Sequence, residues 1–133
     1  MISALFPLCA VTGAMTVRAS VNFQAETSEP SGHRWFWVYH IRIENDGDAP
    51  VQLIDRQWKI TDGRGAISHD EGAGVVGEQP VIGPGASFDY VSGCPLATPM
   101  GRMAGTFGMM DAQGQRFTIA VPDLPLSAPT VSL

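Results

Sequence analysis

Charged residues are scarce in this chain of 133 residues: they make up 16% of it, and only eight are lysine or arginine. The arginines are scattered and form no basic stripe, so the electrostatic footprint of a nucleic-acid-binding protein is missing. The formal net charge of −5 also disfavours long-range attraction to anionic membranes and polyphosphates. We therefore expect no nucleic-acid partner and no membrane insertion.

Cysteine is almost absent. Cys9 and Cys94 lie far apart in the chain, and neither belongs to a C-x-x-C pair, so they do not indicate a disulfide framework. Disulfides are rare in reducing compartments. We expect two reduced thiols in a cytoplasmic protein.

The N-terminus lacks the features of a targeting segment. No lysine or arginine precedes Arg18, although a secretory signal needs a positive start. The apolar stretch is short for a membrane span and Pro7 interrupts it. Met15 stands just before the first strand pattern and is the alternative start to Met1. We expect three parts: a loosely held extension over residues 1–14, a domain over 15–129 and a tail over 130–133.

Helical periodicity is also missing, and alternation with period 2 takes its place. Apolar residues alternate with polar ones over 15–24, and similar patterns recur over 35–45, 51–62, 102–110 and 116–122. Turn sequences rich in glycine and proline separate these segments. Seven or more short strands predict an all-β sandwich or barrel. A change of parity between Leu53 and Trp58 predicts a β-bulge near Asp55–Gln57.

The stretch EGAGVVGEQP, residues 71–80, contains the spacing G-x-G-x-x-G found in dinucleotide-binding loops. Such loops lead into a helix, whereas Pro80 lacks a backbone donor and no helical pattern follows. The glycines are better explained by bulges or close strand approach. Phosphate binding by backbone amides and docking of a partner on an exposed strand edge remain as alternatives. The candidate ligand- or partner-binding residues are Gly72, Gly74, Gly77, Glu78 and Gln79.

Metal binding and catalysis have little support. His69 and Glu71 share one face of a strand, but Zn²⁺ or Co²⁺ needs three or four ligands, so they are weak metal candidates. Ser92 and Cys94 have no histidine nearby in the sequence to act as a base. We expect no enzymatic activity and no cofactor, with Cys94 a packed structural thiol.

Four phrases in fixed order carry a family resemblance: VRASVNFQAE, HIRIENDGDAPVQLIDRQWKITDGRG, EGAGVVGEQPVIGPGASFDYVSGCPLATPMGRMAGTFGM and RFTIAVPDLPLSAP. Together they resemble the ApaG family over roughly residues 15–129, most densely over 74–105. The resemblance implies an immunoglobulin-like, fibronectin-type-III-like β-sandwich of two antiparallel sheets. It also implies a link to cobalt resistance and magnesium efflux, and no firmly attached enzymatic reaction. Similar domains in eukaryotes look like protein-interaction modules.

These observations favour a non-enzymatic binding module with a protein partner of unknown identity. Two alternatives remain open. One is a protein that binds phosphate or a diadenosine polyphosphate through residues 72–77, since the family is named after genes beside a diadenosine tetraphosphate hydrolase. The other is a divalent-cation sensor or efflux accessory.

Overall fold

The computed structural model describes residues 5–129, which form nine β-strands and two short 3₁₀ segments. The 3₁₀ segments, Ala25–Thr27 and Pro30–Gly32, follow the second strand. In chain order the strands are β1 (Leu8–Thr12), β2 (Met15–Phe23), β3 (Trp35–Asn45), β4 (Val51–Asp62), β5 (Ile67–Ala73), β6 (Val81–Ile82), β7 (Ser87–Leu96), β8 (Met100–Met110) and β9 (Arg116–Ser127). No helix within residues 5–129 is long and apolar enough to cross a membrane.

The strands form two antiparallel sheets. The first has the order β1-β2-β3-β7, and the second has the order β5-β4-β8-β9, with the two-residue β6 paired to the start of β4. This confirms the antiparallel β-sandwich, of the immunoglobulin and fibronectin type III kind, that the family resemblance implied, where the strand pattern alone left a sandwich or a barrel open.

The core lies between the sheets and follows from the alternation of side chains along each strand. In β3, every second residue from Trp37 to Ile43 is at most 4% exposed. Trp58 of the other sheet packs edge-on against Tyr39, with ring centroids 5.6 Å apart, and against Phe107, at 6.2 Å. Each such aromatic pair contributes about 1 kcal/mol beyond its buried area. The pair of Trp58 and Tyr39 joins the two sheets, whereas Trp58 and Phe107 belong to the same sheet.

The predicted bulge in β4 is present, but it lies earlier in the strand. The register between β4 and β8 shifts between Leu53 and Asp55, so Ile54 is the additional residue. The shift lets both Leu53 and Trp58 face the core, where each is at most 1% exposed, although five positions separate them.

The N-terminal segment differs from expectation. Residues 8–12, which we expected within a loosely held extension, form β1. Every residue of β1 pairs with β2, from Leu8–Ala19 to Thr12–Met15. A two-residue turn makes this hairpin, with Gly13 at a φ of 58°. Residues 1–4 and the tail expected over 130–133 lie outside the described residues.

The two sides of the sandwich, where the sheet edges meet, are unlike each other. On one side β9 packs against β1 and β2, and the N–H of Ala120 donates a hydrogen bond to Oγ1 of Thr12 over 3.0 Å. On the other side β5 and β7 are the edge strands of their sheets, and within residues 5–129 they lack such packing. We call these sides the closed seam and the open seam.

Candidate functional site at the open seam

A cavity of about 240 Å³ lies at the open seam between the two sheets. The turn Val75–Gly77 forms part of its wall. Six further side chains line it: Tyr39, Tyr90 and Ser92 from the first sheet, and Arg56, Trp58 and Asp70 from the second. Strand alternation accounts for this set, because Tyr90 and Ser92 share the inward face of β7, while Arg56 and Trp58 share that of β4.

Arg56 connects the cavity wall to the turn. Its Nη1 donates to the carbonyl oxygens of Gly74, at 2.9 Å, and Ala73, at 3.2 Å. Its Nη2 donates to Oδ1 of Asp70 over 3.1 Å. Among the described residues that line the cavity, only Arg56 and Asp70 are of charged types, and their opposite charges offset each other there.

The turn itself is a tight two-residue hairpin. Val75 and Glu78 exchange two backbone hydrogen bonds, each of 2.9 Å. The central residues Val76 and Gly77 have φ values of 44° and 80°. Positive φ at both central positions is the requirement of a type I′ turn, which favours Asn-Gly. Val76 is β-branched, and its positive φ is therefore a strained conformation.

The three glycines of the G-x-G-x-x-G motif have separate geometric roles. Gly72 faces the guanidinium of Arg56, and a Cβ there would lie 3.3 Å from Nη2. Gly74 has a φ of 68°, and a Cβ on it would collide with the carbonyl oxygen of Glu78. Gly77 has open space around it and supplies the second positive φ of the turn.

Three backbone amides in and just after this motif are engaged within the protein. The N–H of Gly74 donates to the carbonyl of Ile54 over 2.8 Å, and those of Val75 and Glu78 donate to each other's carbonyls. A phosphate cradle needs several free, convergent N–H groups. The amides of Val75, Glu78 and Gly74 cannot serve in one without giving up these bonds.

Glu78 and Gln79, the other candidates, differ in what they contact. The side-chain amide of Gln79 donates to the backbone carbonyl of Ile54 over 2.8 Å. The backbone carbonyl of Gln79 accepts from Nε2 of Gln52 over 3.0 Å. Gln79 thus anchors the turn to β4. Glu78 is exposed and is the member of the pair that is available to a partner.

Tyr90 carries a hydroxyl with an unmet hydrogen bond. The residue is 6% exposed, and its hydroxyl has no hydrogen-bond partner among the described residues. The indole of Trp58 comes close without reaching hydrogen-bond geometry, and as a donor it would still leave the Tyr90 proton without an acceptor. Burial raises the pKa of the Tyr90 phenol far above its usual value, so the hydroxyl stays protonated and remains a donor.

Sequence reasoning found the turn but missed the inward side chains around it. Arg56, Tyr39 and Tyr90 were not singled out, and Ser92 was considered only as a nucleophile. The parity of β4 and β7 is the signal that could have placed them on the buried face. Nothing in the sequence brings β4 next to β7, because the two strands belong to different sheets.

The weak metal candidates lie elsewhere. His69 and Glu71 line a shallow depression on the second sheet with Lys59, and not the seam cavity. Within residues 5–129, no group of three or more histidine, cysteine, aspartate or glutamate side chains could hold a metal ion.

The thiols and Ser92 form no nucleophilic arrangement in the described structure. Cys9 is exposed, and Cys94 is buried within the core. Burial raises the pKa of the Cys94 thiol to about 11, which keeps it in the weakly nucleophilic protonated form. None of the side chains that line the cavity beside Ser92 is a histidine.

The sequence model of the ApaG domain family matches residues 25–111, about two thirds of the chain, including β3 to β8. The chain is 48% identical to Protein ApaG of Methylobacterium sp. (strain 4-46), covering 92% of this chain and 94% of that protein. It is 44% identical to Protein ApaG of Rhodospirillum centenum, covering 90% and 92%.

Solved structures agree with this assignment. The crystal structure described as the ApaA protein of Bordetella pertussis superposes with a TM-score of 0.84 at 39% identity, covering 88% of this chain and 95% of that one. The family model and these relatives together lead to one conclusion: the chain belongs to the ApaG family.

Proposed function

We propose that this protein is a non-enzymatic interaction module that binds a protein partner by adding one of the partner's strands to the free edge of β5. The proposal rests on the observation that this edge is unpaired and exposed. β5 pairs with β4 on one side and with no strand on the other among residues 5–129. Six of its seven residues are exposed. An edge of this kind is a ready template for an added strand.

The register identifies the backbone groups that face outward. Asp62 and Ala66 form a hydrogen-bonded pair at one end of β4 and β5, and Ile54 and Gly74 form one at the other. Because hydrogen-bonded and non-hydrogen-bonded pairs alternate in antiparallel sheets, His69 and Glu71 occupy non-hydrogen-bonded positions. Their N–H and C=O groups therefore point away from β4, towards an incoming strand.

Charge around this edge favours a basic partner segment. Glu71 and Glu78 are exposed, and neither forms an ion pair within residues 5–129. Ile67 and Val76, each 54% exposed, add apolar surface near the two ends of the strand. A partner strand with lysine or arginine beside apolar residues complements both features.

A substitution at Glu71 tests the strand-addition mode. Glu71→Pro removes an outward N–H without removing a bond to β4, a position at which edge strands tolerate proline. Glu71→Ala is the matched control, because it removes the same carboxylate and keeps the N–H. Proteins captured from native lysate are compared by mass spectrometry. We expect a set retained by the wild type, retained less strongly by Glu71→Ala because one carboxylate is lost, and absent with Glu71→Pro. Equal retention by Glu71→Pro would exclude docking on this edge.

We further propose that the family's link to cobalt and magnesium acts through the bound partner. The support is that His69 and Glu71 provide two ligands on one face, fewer than a Co²⁺ site needs. Calorimetry with Co²⁺ and Mg²⁺ should give the same result for the wild type and His69→Ala. Tight binding by the wild type that is lost in His69→Ala would show a direct cation site instead.

A further inference from the structure

Three features coincide at the seam cavity. Tyr90, one of its lining residues, has a buried hydroxyl without a partner among the described residues. The cavity lies on the side of the sandwich that no strand within residues 5–129 closes. One of its walls is a strained, exposed turn at Val76. Buried polar groups are almost always hydrogen-bonded, and strained backbone clusters at binding sites.

The size of the cavity limits what it can hold. Its volume of 240 Å³ is about the volume that eight molecules occupy in liquid water. Pockets for drug-sized ligands begin at roughly 300 Å³. A compact molecule of about ten non-hydrogen atoms therefore suits this volume better than a nucleotide.

The lining determines the chemistry of the occupant. Asp70 already offsets the charge of Arg56, so the cavity offers no unbalanced charge to an ion. Tyr39, Tyr90 and Ser92 are the hydroxyl-bearing residues of the lining, and burial raises the pKa of both phenols, which stay protonated. The rings of Tyr39, Trp58 and Tyr90 form the aromatic base of the cavity, although each is at most 6% exposed. Such a site favours the binding of an uncharged, flat molecule that carries a hydrogen-bond acceptor.

We propose that the seam cavity is a binding site for a small uncharged molecule whose carbonyl-type oxygen accepts a hydrogen bond from Tyr90. The hydroxyl is shielded from solvent, so the ligand reaches it as the Val75–Gly77 turn shifts outward. This site does not depend on strand addition at β5, and the two proposals can fail separately.

Three probes of nearly equal shape separate the charge classes: benzamide is neutral, benzoate is an anion and benzamidine is a cation at neutral pH. Each is titrated into ¹⁵N-labelled protein, and the amide signals of Val75–Gly77 and Ser92 are followed together with the indole N–H of Trp58. We expect saturable shifts with benzamide and a dissociation constant on the order of 1 mM, a range that a ligand of this size reaches at ordinary efficiency. Benzoate and benzamidine should bind at least tenfold more weakly.

Two variants locate the contact. Tyr90→Phe removes only the hydroxyl and should weaken benzamide binding about tenfold, while Ser87→Ala, which removes an exposed hydroxyl from the same strand, should leave it unchanged. No saturable binding of benzamide by the wild type would overturn the proposal. So would tighter binding of either ion, or unchanged binding by Tyr90→Phe.

Discussion

The guanidinium of Arg56 lies against the α-carbon of Gly72, so that a methyl group at position 72 would meet Nη2 at 3.3 Å and Nη1 at 3.4 Å. This contact lets one arginine of β4 reach the carbonyls at the end of β5, those of Ala73 and the following Gly74. The glycine that begins the G-x-G-x-x-G motif is therefore explained by a side chain of this protein, without reference to a bound phosphate.

Arg56→Lys should destabilise the fold by about 2 kcal/mol, because an ammonium group cannot reproduce the fork that joins two carbonyls and a carboxylate. Urea denaturation measures the change. Arg102→Lys is the control, since Arg102 makes only an exposed contact of 3.8 Å with Asp123 and should change stability by less than about 0.5 kcal/mol. Equal effects of the two substitutions would contradict the role of Arg56.

Alanine substitutions at three glycines should differ in how much they destabilise the protein. Gly74→Ala combines a positive φ with a collision against the carbonyl of Glu78 and should cost about 3 kcal/mol. Gly77→Ala has the positive φ but open space around the new methyl group, so it should destabilise the protein by about 1 kcal/mol. Gly83→Ala has open space and ordinary φ and should be neutral within about 0.5 kcal/mol. Thermal unfolding of the three variants gives the order, and a Gly83 variant as unstable as that of Gly74 would refute it.

Val76→Asn should stabilise the protein by about 1 kcal/mol, because asparagine accepts the positive φ that valine resists. Val81 is a matched control: it is also exposed, but it lies in the short strand β6. Val81→Asn should lose a few tenths of a kcal/mol, since asparagine is disfavoured in strands. Chemical denaturation of both variants decides the point, and destabilisation by Val76→Asn would argue that Val76 is held by contacts of its own.

Tyr90→Phe should raise stability by about 1 kcal/mol, the reverse of the usual result of truncating a buried side chain, because it removes a polar group that has lost its hydration without gaining a partner. The denaturation midpoint in urea is the measurement, made without added ligand. A loss of stability of similar size would mean that the hydroxyl is hydrogen-bonded in solution.

The environment of Asp55 should account for part of the protein's loss of folding stability at acidic pH. Hydrogen bonds from Gln57, at 2.8 Å, and from Arg116, at 2.7 Å, hold the pKa of this carboxyl below its usual value of 3.8. Its contribution to stability is complete above that value and is lost as the pH falls through the lowered pKa. The wild type should therefore lose more stability than Asp55→Asn between pH 5 and about 2. Asp123→Asn, which removes an exposed carboxylate, controls for net charge and should behave like the wild type.

The strands were predictable where one face is buried and the other is polar. The expected limits of β3 and β4 match the structure, because their alternation is strong. β1 was missed because Cys9 and Val11, on its exposed face, are apolar and hide the alternation. Its stability also depends on the pairing with β2 and on contacts with β9, which no local pattern reveals.

The seam cavity could be predicted only in part, for a related reason. Turn chemistry is local, so residues 74–77 stood out in the sequence. The walls combine Tyr90 of β7 with Arg56 of β4, which are 34 positions apart and meet only when the two sheets stack. The hydrogen bond that Tyr90 lacks is a property of that stacking and has no trace in the sequence.

The closed seam also determines how the protein can be tethered. β1 and β9, the first and last strands of the described chain, both lie there, joined by the hydrogen bond between Thr12 and Ala120. A point of attachment on either of these strands therefore lies on the side opposite β5 and β7. A molecule immobilised through β1 or β9 would present its free edge and its cavity to the surrounding solution.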